Sequence, residues 1–208
     1  MVKKTFEYYS LNYLNQWLRH DKLCYEILND IVEGDKLDTL KKAAGHYKVA
    51  RSLTLNDEKK ADTNRYQPVL DQLNDISHQD LKENVVGYTN RIVGNLEDAY
   101  GKKLLSATTK FLWLKFRSPN YMYDSQAFDT LRERSKALKV RDLEAFRQAW
   151  DLSYNECEAD IKQACKKLID VRLYAFDPII EDEYFEKIVQ EEWFYHRVHD
   201  LYLQDRSK

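Results

Sequence analysis

The sequence predicts an all-α fold, folded as a single compact multi-helix domain. Apolar residues recur at three- and four-residue intervals almost throughout the 208 residues, whereas no convincing alternating strand pattern is present. Only 5 glycines and 3 prolines interrupt the chain, a scarcity typical of helix-rich proteins. Because a chain of this length can bury a sizeable core, we expect one domain over residues 1–208.

Four helices are predicted in the N-terminal part of the chain. The second ends before Gly34, and the fourth carries Pro68 inside it as a candidate break. The charged stretch 54–64 is predicted to be a mobile surface loop rather than a domain linker. The predicted bounds of these helices are 6–18, 21–32, 35–53 and 56–74.

Five further helices are predicted towards the C-terminus. Ser77, with Asp80 three residues later, forms a near-capping box for the first of them, and Gly101 ends it. The third begins after Asp124, the fourth is expected to break near Trp150, and Pro178 fits the first turn of the last. For the third helix only the start is predicted. The other four have predicted bounds of 77–100, 102–116, 142–174 and 178–203.

The net charge of -2 excludes a broad nucleic-acid signature, but the charges are unevenly distributed. From Asp98 to Asp151 there are 11 Lys and Arg residues against 7 acids, whereas residues 177–208 hold 9 acids against 4 bases. A basic middle and an acidic end suit an anionic partner, or they match each other within the molecule.

Composition also bears on compartment and cofactors. Cys24, Cys157 and Cys165 form no CxxC motif and cannot all pair, which predicts a reducing compartment. The N-terminus lacks the apolar region of a signal peptide, and no apolar run approaches the roughly 20 residues of a membrane span. We therefore expect a cytoplasmic protein with no membrane partner. No Gly-rich phosphate loop or other cofactor motif is present, so no cofactor is predicted.

The predicted helix from Lys102 carries a cationic stripe with a tryptophan inside it. The other positions of this helix are almost all apolar, so the stripe either faces solvent or lines a cleft. Cations beside an aromatic ring suit phosphate and base contacts, and the alternative is an ordinary solvated face. The stripe consists of Lys103, Ser106, Lys110, Trp113 and Arg117.

Asp124 precedes a predicted helix that contains Phe128 and Leu131. An aspartate at such a position accepts backbone N–H groups and is favoured by the helix dipole. Asp124 is therefore expected to cap this helix, and this structural role alone would explain an aspartate at the position.

The order S-x-x-[ST]-K-x-L-W, then Pro, then hydrophobic-Tyr-Asp-Ser resembles small bacterial proteins of the helix-hairpin-helix, 8-oxoguanine DNA glycosylase-like fold. The resemblance covers residues 102–132 and implies that Asp124 stabilises positive charge at the sugar C1′, with Lys110 as a Schiff-base nucleophile. The glycine-containing hairpin of that superfamily is not recognisable here. The resemblance further implies DNA contacts through the base-stacking rings Trp113, Tyr121 and Tyr123, and through the phosphate-binding cations Lys103, Arg117, Arg132 and Arg134.

The last predicted helix supports a metal-binding alternative. Glu192, His196 and His199 fall on one helical face at a spacing that suits zinc or iron. Phe185 and Val189 share that face, so the histidines equally suit the edge of a core.

Three functions are expected, the first from the resemblance and the other two from the residue patterns. The first is a DNA-associated helical protein related to the glycosylase fold, with or without catalysis. The second is a protein-interaction or regulatory subunit that pairs with a partner or forms a homodimer through its basic and acidic regions. The third is a metal-binding helical protein.

Overall fold

A computed structural model of the chain describes residues 4–56, 64–134, 138, 142–177 and 181–205. All regular structure in this part of the chain is helical, with no β-strand, which confirms the predicted all-α class. None of these helices combines the length and the apolar character needed to cross a membrane. Most of the predicted loop 54–64 lies outside the described residues, because 57–63 are not among them.

The helices divide into short and long elements. We number them in chain order. Their bounds are α1 Phe6–Gln16, α2 Lys22–Leu28, α3 Lys36–His46, α4 Gln67–Asn74, α5 His78–Tyr100, α6 Leu105–Phe116, α7 Ser125–Arg134, α8 Leu143–Lys166, α9 Asp182–Ile188 and α10 Glu192–Gln204. A π-helical turn, Trp17–Asp21, follows α1, and two 3₁₀ segments cover Ala50–Ser52 and Lys167–Tyr174.

The chain forms two compact units. Unit 1 combines Met1–His20 with Asp124–Lys208, and unit 2 is Asp21–Tyr123. The single domain over residues 1–208 stays a prediction.

Unit 1 is held together by α1, α7, α8 and α10. Helix α1 packs on α8 and α10, and α7 packs on the same two helices. Aromatic residues fill this core because their helical spacing directs them to the inner faces. The largest fully buried members are Tyr13, Trp17, Phe128, Phe146, Trp150, Phe185 and Phe194.

Unit 2 is built around α6, which packs on α2, α4 and α5. Every residue from Ala107 to Leu114 on this helix is buried. A helix that is apolar on most of its circumference must be covered on most sides, so its sequence explains its central place in the unit.

Two predicted helix ends of unit 2 are confirmed. The Ser77 side chain accepts the Asp80 N–H, and the Asp80 carboxylate accepts the Ser77 N–H, which completes a capping box at the start of α5. Gly101 follows α5 with a φ of 69°, in the left-handed region where glycine carries no steric penalty.

Several predicted bounds near the N-terminus are wrong. Helix α2 ends at Leu28 because the backbone turns at Asp30, whose φ is 57°. Helix α3 ends at His46, before Lys48 with the same φ of 57°, and does not reach 53. Helix α4 begins only at Gln67, and Pro68 lies in its first turn. A backbone N–H at this position would have no carbonyl partner within the helix, so the proline costs no hydrogen bond.

Three later predictions are also corrected. Helix α6 starts at Leu105 rather than Lys102, because the left-handed turn at Gly101 has to be completed first. Helix α8 continues unbroken through Trp150, since nothing at that residue removes a backbone donor. The predicted helix 178–203 is two helices, α9 and α10, and Pro178 lies outside the described residues.

Candidate functional site

Asp124 caps the start of α7 as predicted. Its Oδ1 accepts the Gln126 backbone N–H at 2.9 Å, and its carbonyl oxygen accepts the Phe128 N–H at 2.9 Å. This arrangement satisfies backbone donors that the first turn of a helix leaves without partners. Asp124 is half-buried, and its Oδ1 makes the capping bond.

Two arginines lie near the other end of α7, and both are exposed. Arg132 pairs with Asp129 one turn earlier, at an Nη2–Oδ1 distance of 3.2 Å. Arg134 lies over the ring of Tyr202, 5.0 Å from its centroid, and donates to the Tyr202 hydroxyl at 2.7 Å. The aromatic contact holds the Arg134 guanidinium against unit 1 while leaving it accessible.

Lys110 and Trp113 do not lie on a solvated face of α6. Lys110 is only 5% exposed, and its Nζ donates to Ser106 Oγ one helical turn away at 2.9 Å. Trp113 is 1% exposed. The predicted cationic stripe is therefore enclosed along its middle, where Ser106 is half-buried.

The ends of the stripe lie outside α6. Lys103 is exposed in the turn before the helix, and Arg117 follows the helix with a φ of 58°. The Arg117 guanidinium carbon lies 3.9 Å from the centroid of the Tyr25 ring, which makes it a stacked, half-buried cation.

The two tyrosines beyond the helix differ in exposure. Tyr121 is half-buried, whereas Tyr123 is buried and its backbone N–H donates to Thr109 Oγ1 at 3.0 Å. Lys103 through Tyr123 belong to unit 2, whereas Asp124, Arg132 and Arg134 belong to unit 1. The predicted catalytic and DNA-contact roles of these residues stay predictions.

Unit 1 contains a buried polar network that the sequence analysis did not find. Asp200 is 1% exposed, and its two oxygens accept hydrogen bonds from the Trp150 indole and from Arg197, each at 2.8 Å. Arg197 is also 1% exposed. Removal from water raises the pKa of Asp200, and the nearby charge of Asp124 acts in the same direction, against the opposing effect of Arg197. Arg197 and Asp200 lie three residues apart on a helix rich in aromatic residues, and this spacing alone gives no signal that either charge is buried.

The two histidines of α10 join the same region of the core. His199 is fully buried, and its Nε2 lies 3.2 Å from Ser153 Oγ on α8. His196 packs edge-on against the rings of Trp150 and Tyr154. Burial lowers the pKa of His196 to about 4, with Arg147 contributing in the same direction.

The three predicted metal ligands do not converge as a set. His196 Nε2 and Glu192 Oε1 are 3.6 Å apart, so two of the three lie close together. In the parts of the chain that the structure describes, no three His, Cys, Asp or Glu side chains come together as a metal site would require.

A cavity of about 620 Å³ opens beside this core in unit 1. It is lined by the start of α1, the end of α7, one face of α8 and Tyr202 of α10. Its volume falls in the range of sites for small organic molecules. Ser153, the partner of His199, lines this cavity, so the buried network borders it.

Comparison with known proteins does not assign the chain to a family. No protein-family model matches the chain, and neither a curated protein nor a solved structure is similar to it.

Proposed function

We propose that the chain is a DNA-associated helical protein related to the DNA glycosylase fold. The observation that carries the proposal is the place of Asp124, a half-exposed aspartate that caps a helix directly behind a proline-containing loop. The resemblance over residues 102–132 assigns the catalytic aspartate to such a cap.

The cations of α7 supply the second support. Arg132 and Arg134 are exposed on the same helix that Asp124 caps, and both belong to unit 1. Arginine binds phosphate through several donors at once, and a helix with a carboxylate at its start and arginines at its end offers separate groups for sugar and phosphate.

DNA binding by the full chain is tested with variants of α7. In a fluorescence anisotropy titration with a labelled duplex at low salt, wild type binds and the Arg132→Ala/Arg134→Ala double variant binds about tenfold or more weakly. Lys162→Ala is the matched control, because Lys162 is an exposed cation of unit 1 that pairs with Glu158 on α8. An equal loss in the control would assign the effect to net charge rather than to α7.

Chemistry is tested separately from binding. If the resemblance extends to catalysis, borohydride traps a covalent complex with DNA containing an excisable base, and Lys110→Ala removes it. Binding without trapping would keep DNA association and exclude the lysine-dependent reaction for that substrate.

A second candidate function, homodimer formation, is favoured by an exposed apolar segment of unit 1. Leu173 is 83% exposed and Tyr174 is 76% exposed, beside the exposed Ile169 and Phe176. Neighbouring exposed side chains of this size are typical of interaction surfaces, whereas scattered ones are ordinary.

Sedimentation of the purified chain tests the homodimer. A mass that rises with concentration, and that Leu173→Ser/Tyr174→Ser reduces to the monomer, supports it. Leu152→Ser is the control, because Leu152 is also exposed but lies on α8 away from that segment of sequence. A monomer at every concentration would exclude the homodimer.

A further inference from the structure

We infer that the 620 Å³ cavity of unit 1 binds an organic ammonium ion, a ligand with an apolar body and a positively charged amine. Three features of its walls lead to this ligand class. They are two carboxylates on α8, a net negative charge of the lining, and a cluster of aromatic rings.

The carboxylates come from Glu156 and Asp160, one helical turn apart on α8, and both line the cavity. Within the described part of the chain, neither side chain has a hydrogen bond or an ion pair. Other acids nearby are compensated. Glu158 on the same helix pairs with Lys162, at an Oε1–Nζ distance of 2.6 Å.

The cations that line the cavity are held by oxygen atoms. Lys4 Nζ lies 2.8 Å from Asp205 Oδ2, and Arg134 donates to the Tyr202 hydroxyl. Glu7, the remaining acid of the lining, accepts a hydrogen bond from Lys167 at 2.8 Å, which lowers the pKa of Glu7 to about 2. Arg134 keeps its positive charge, because the Tyr202 hydroxyl is neutral, so the two α8 carboxylates leave the lining with one net negative charge.

Aromatic rings form another part of the lining. The ring of Tyr202 lies 4.9 Å from that of Phe6 and 5.8 Å from that of Tyr9, measured between centroids. All three residues line the cavity. Aromatic faces attract ammonium groups and also cover apolar carbon. Because the Arg134 guanidinium already lies over the Tyr202 ring, the rings of Phe6 and Tyr9 beside the two carboxylates are the ones that match an amine with an apolar body.

The test compares two probes of similar size and opposite charge on the full chain. Calorimetric titration with phenethylammonium is expected to show saturable binding, about tenfold or more tighter than with 3-phenylpropionate. Glu156→Gln/Asp160→Asn is expected to weaken amine binding by about tenfold, whereas Glu158→Gln leaves it unchanged. Circular dichroism of each variant verifies that it folds.

Cys157 provides a reporter inside the cavity, which it lines. Phenethylammonium is expected to slow the alkylation of Cys157 by iodoacetamide in the full chain. The extent of alkylation is measured by mass spectrometry of the Cys157 peptide after digestion. Cys165 is fully buried, and burial raises the pKa of the Cys24 thiol to about 12, so both serve as slow internal references. The inference is overturned if neither probe binds, if the carboxylate probe binds as tightly, or if the α8 double variant binds like wild type.

Discussion

Trp150 on α8 donates its indole N–H to Asp200 on α10, at 2.8 Å, in a part of unit 1 from which solvent is excluded. The second oxygen of Asp200 accepts from Arg197. A buried carboxylate costs free energy unless such donors satisfy it, so the two helices are joined by an interaction that tolerates little change.

Removing one partner of this network is expected to destabilise the folded protein strongly. Asp200→Ala leaves the Arg197 charge buried without its carboxylate, and we expect a loss of about 3–5 kcal/mol in the free energy of unfolding. Urea unfolding followed by circular dichroism measures it. Glu186→Gln on α9, an exposed position, is the control and stays within about 0.5 kcal/mol of wild type. A loss below about 1 kcal/mol for Asp200→Ala would contradict the importance of the network.

Acid is expected to destabilise unit 1 through His196. Its folded pKa of about 4 lies below the ordinary value of 6.5, so between these values the unfolded chain binds more protons. The stabilisation is complete above pH 6.5 and decreases as the pH falls to about 4, by up to about 3 kcal/mol.

Unfolding at a series of pH values, for wild type and His196→Gln, isolates this effect. The charged groups that act on His196 are Arg147, Glu158 and Lys162, which both proteins retain. A flatter pH dependence in His196→Gln agrees with the account, whereas identical slopes would place the acid sensitivity elsewhere.

Removing the Tyr154 hydroxyl is not expected to destabilise the protein, in contrast to removing the Asp200 carboxylate. It is buried, and no hydrogen-bond partner is present among the described residues. Tyr154→Phe removes a buried donor that gains nothing, so we expect unchanged stability or a gain of about 1 kcal/mol. Trp150→Phe serves for comparison because it removes a donor that Asp200 uses, and it is expected to destabilise. A clear loss for Tyr154→Phe, measured by thermal unfolding, would show that the hydroxyl has a partner.

Two substitutions of Asp124 test whether its side chain stabilises α7 as a helix cap. Asparagine caps helices about as well as aspartate, so Asp124→Asn is expected to change stability by no more than about 0.5 kcal/mol, whereas Asp124→Ala loses about 1 kcal/mol. Differential scanning calorimetry compares them. An equal loss for both would mean that the charge of Asp124, rather than its bond to Gln126, stabilises the helix.

Local rules predicted the parts of the fold that depend on a few adjacent residues. Ser77 with Asp80, Gly101 and Asp124 all act at helix ends as their side chains or backbone freedom dictate. The burial of Lys110 has a non-local cause. The helical pattern left Lys110 either on a solvent face or in a cleft, but α6 is covered on most sides, so the lysine is buried with it.

The buried pair of Arg197 and Asp200 could not be predicted from helical periodicity. Charged residues are normally assigned to the solvent face, and the core holds this pair with the help of Trp150, 50 residues from Asp200, which donates a further hydrogen bond to the carboxylate. The cavity likewise depends on residues from four helices and the segment before α1, which no single stretch of sequence brings together.

The most direct test of the proposed function is the salt dependence of DNA binding by the full chain. We expect the logarithm of the association constant to fall linearly with the logarithm of salt concentration, and the slope to decrease by about two when Arg132 and Arg134 are both replaced by alanine. Undetectable binding of wild type at low salt would contradict the proposal, and an unchanged slope in the double variant would remove α7 from the DNA contact.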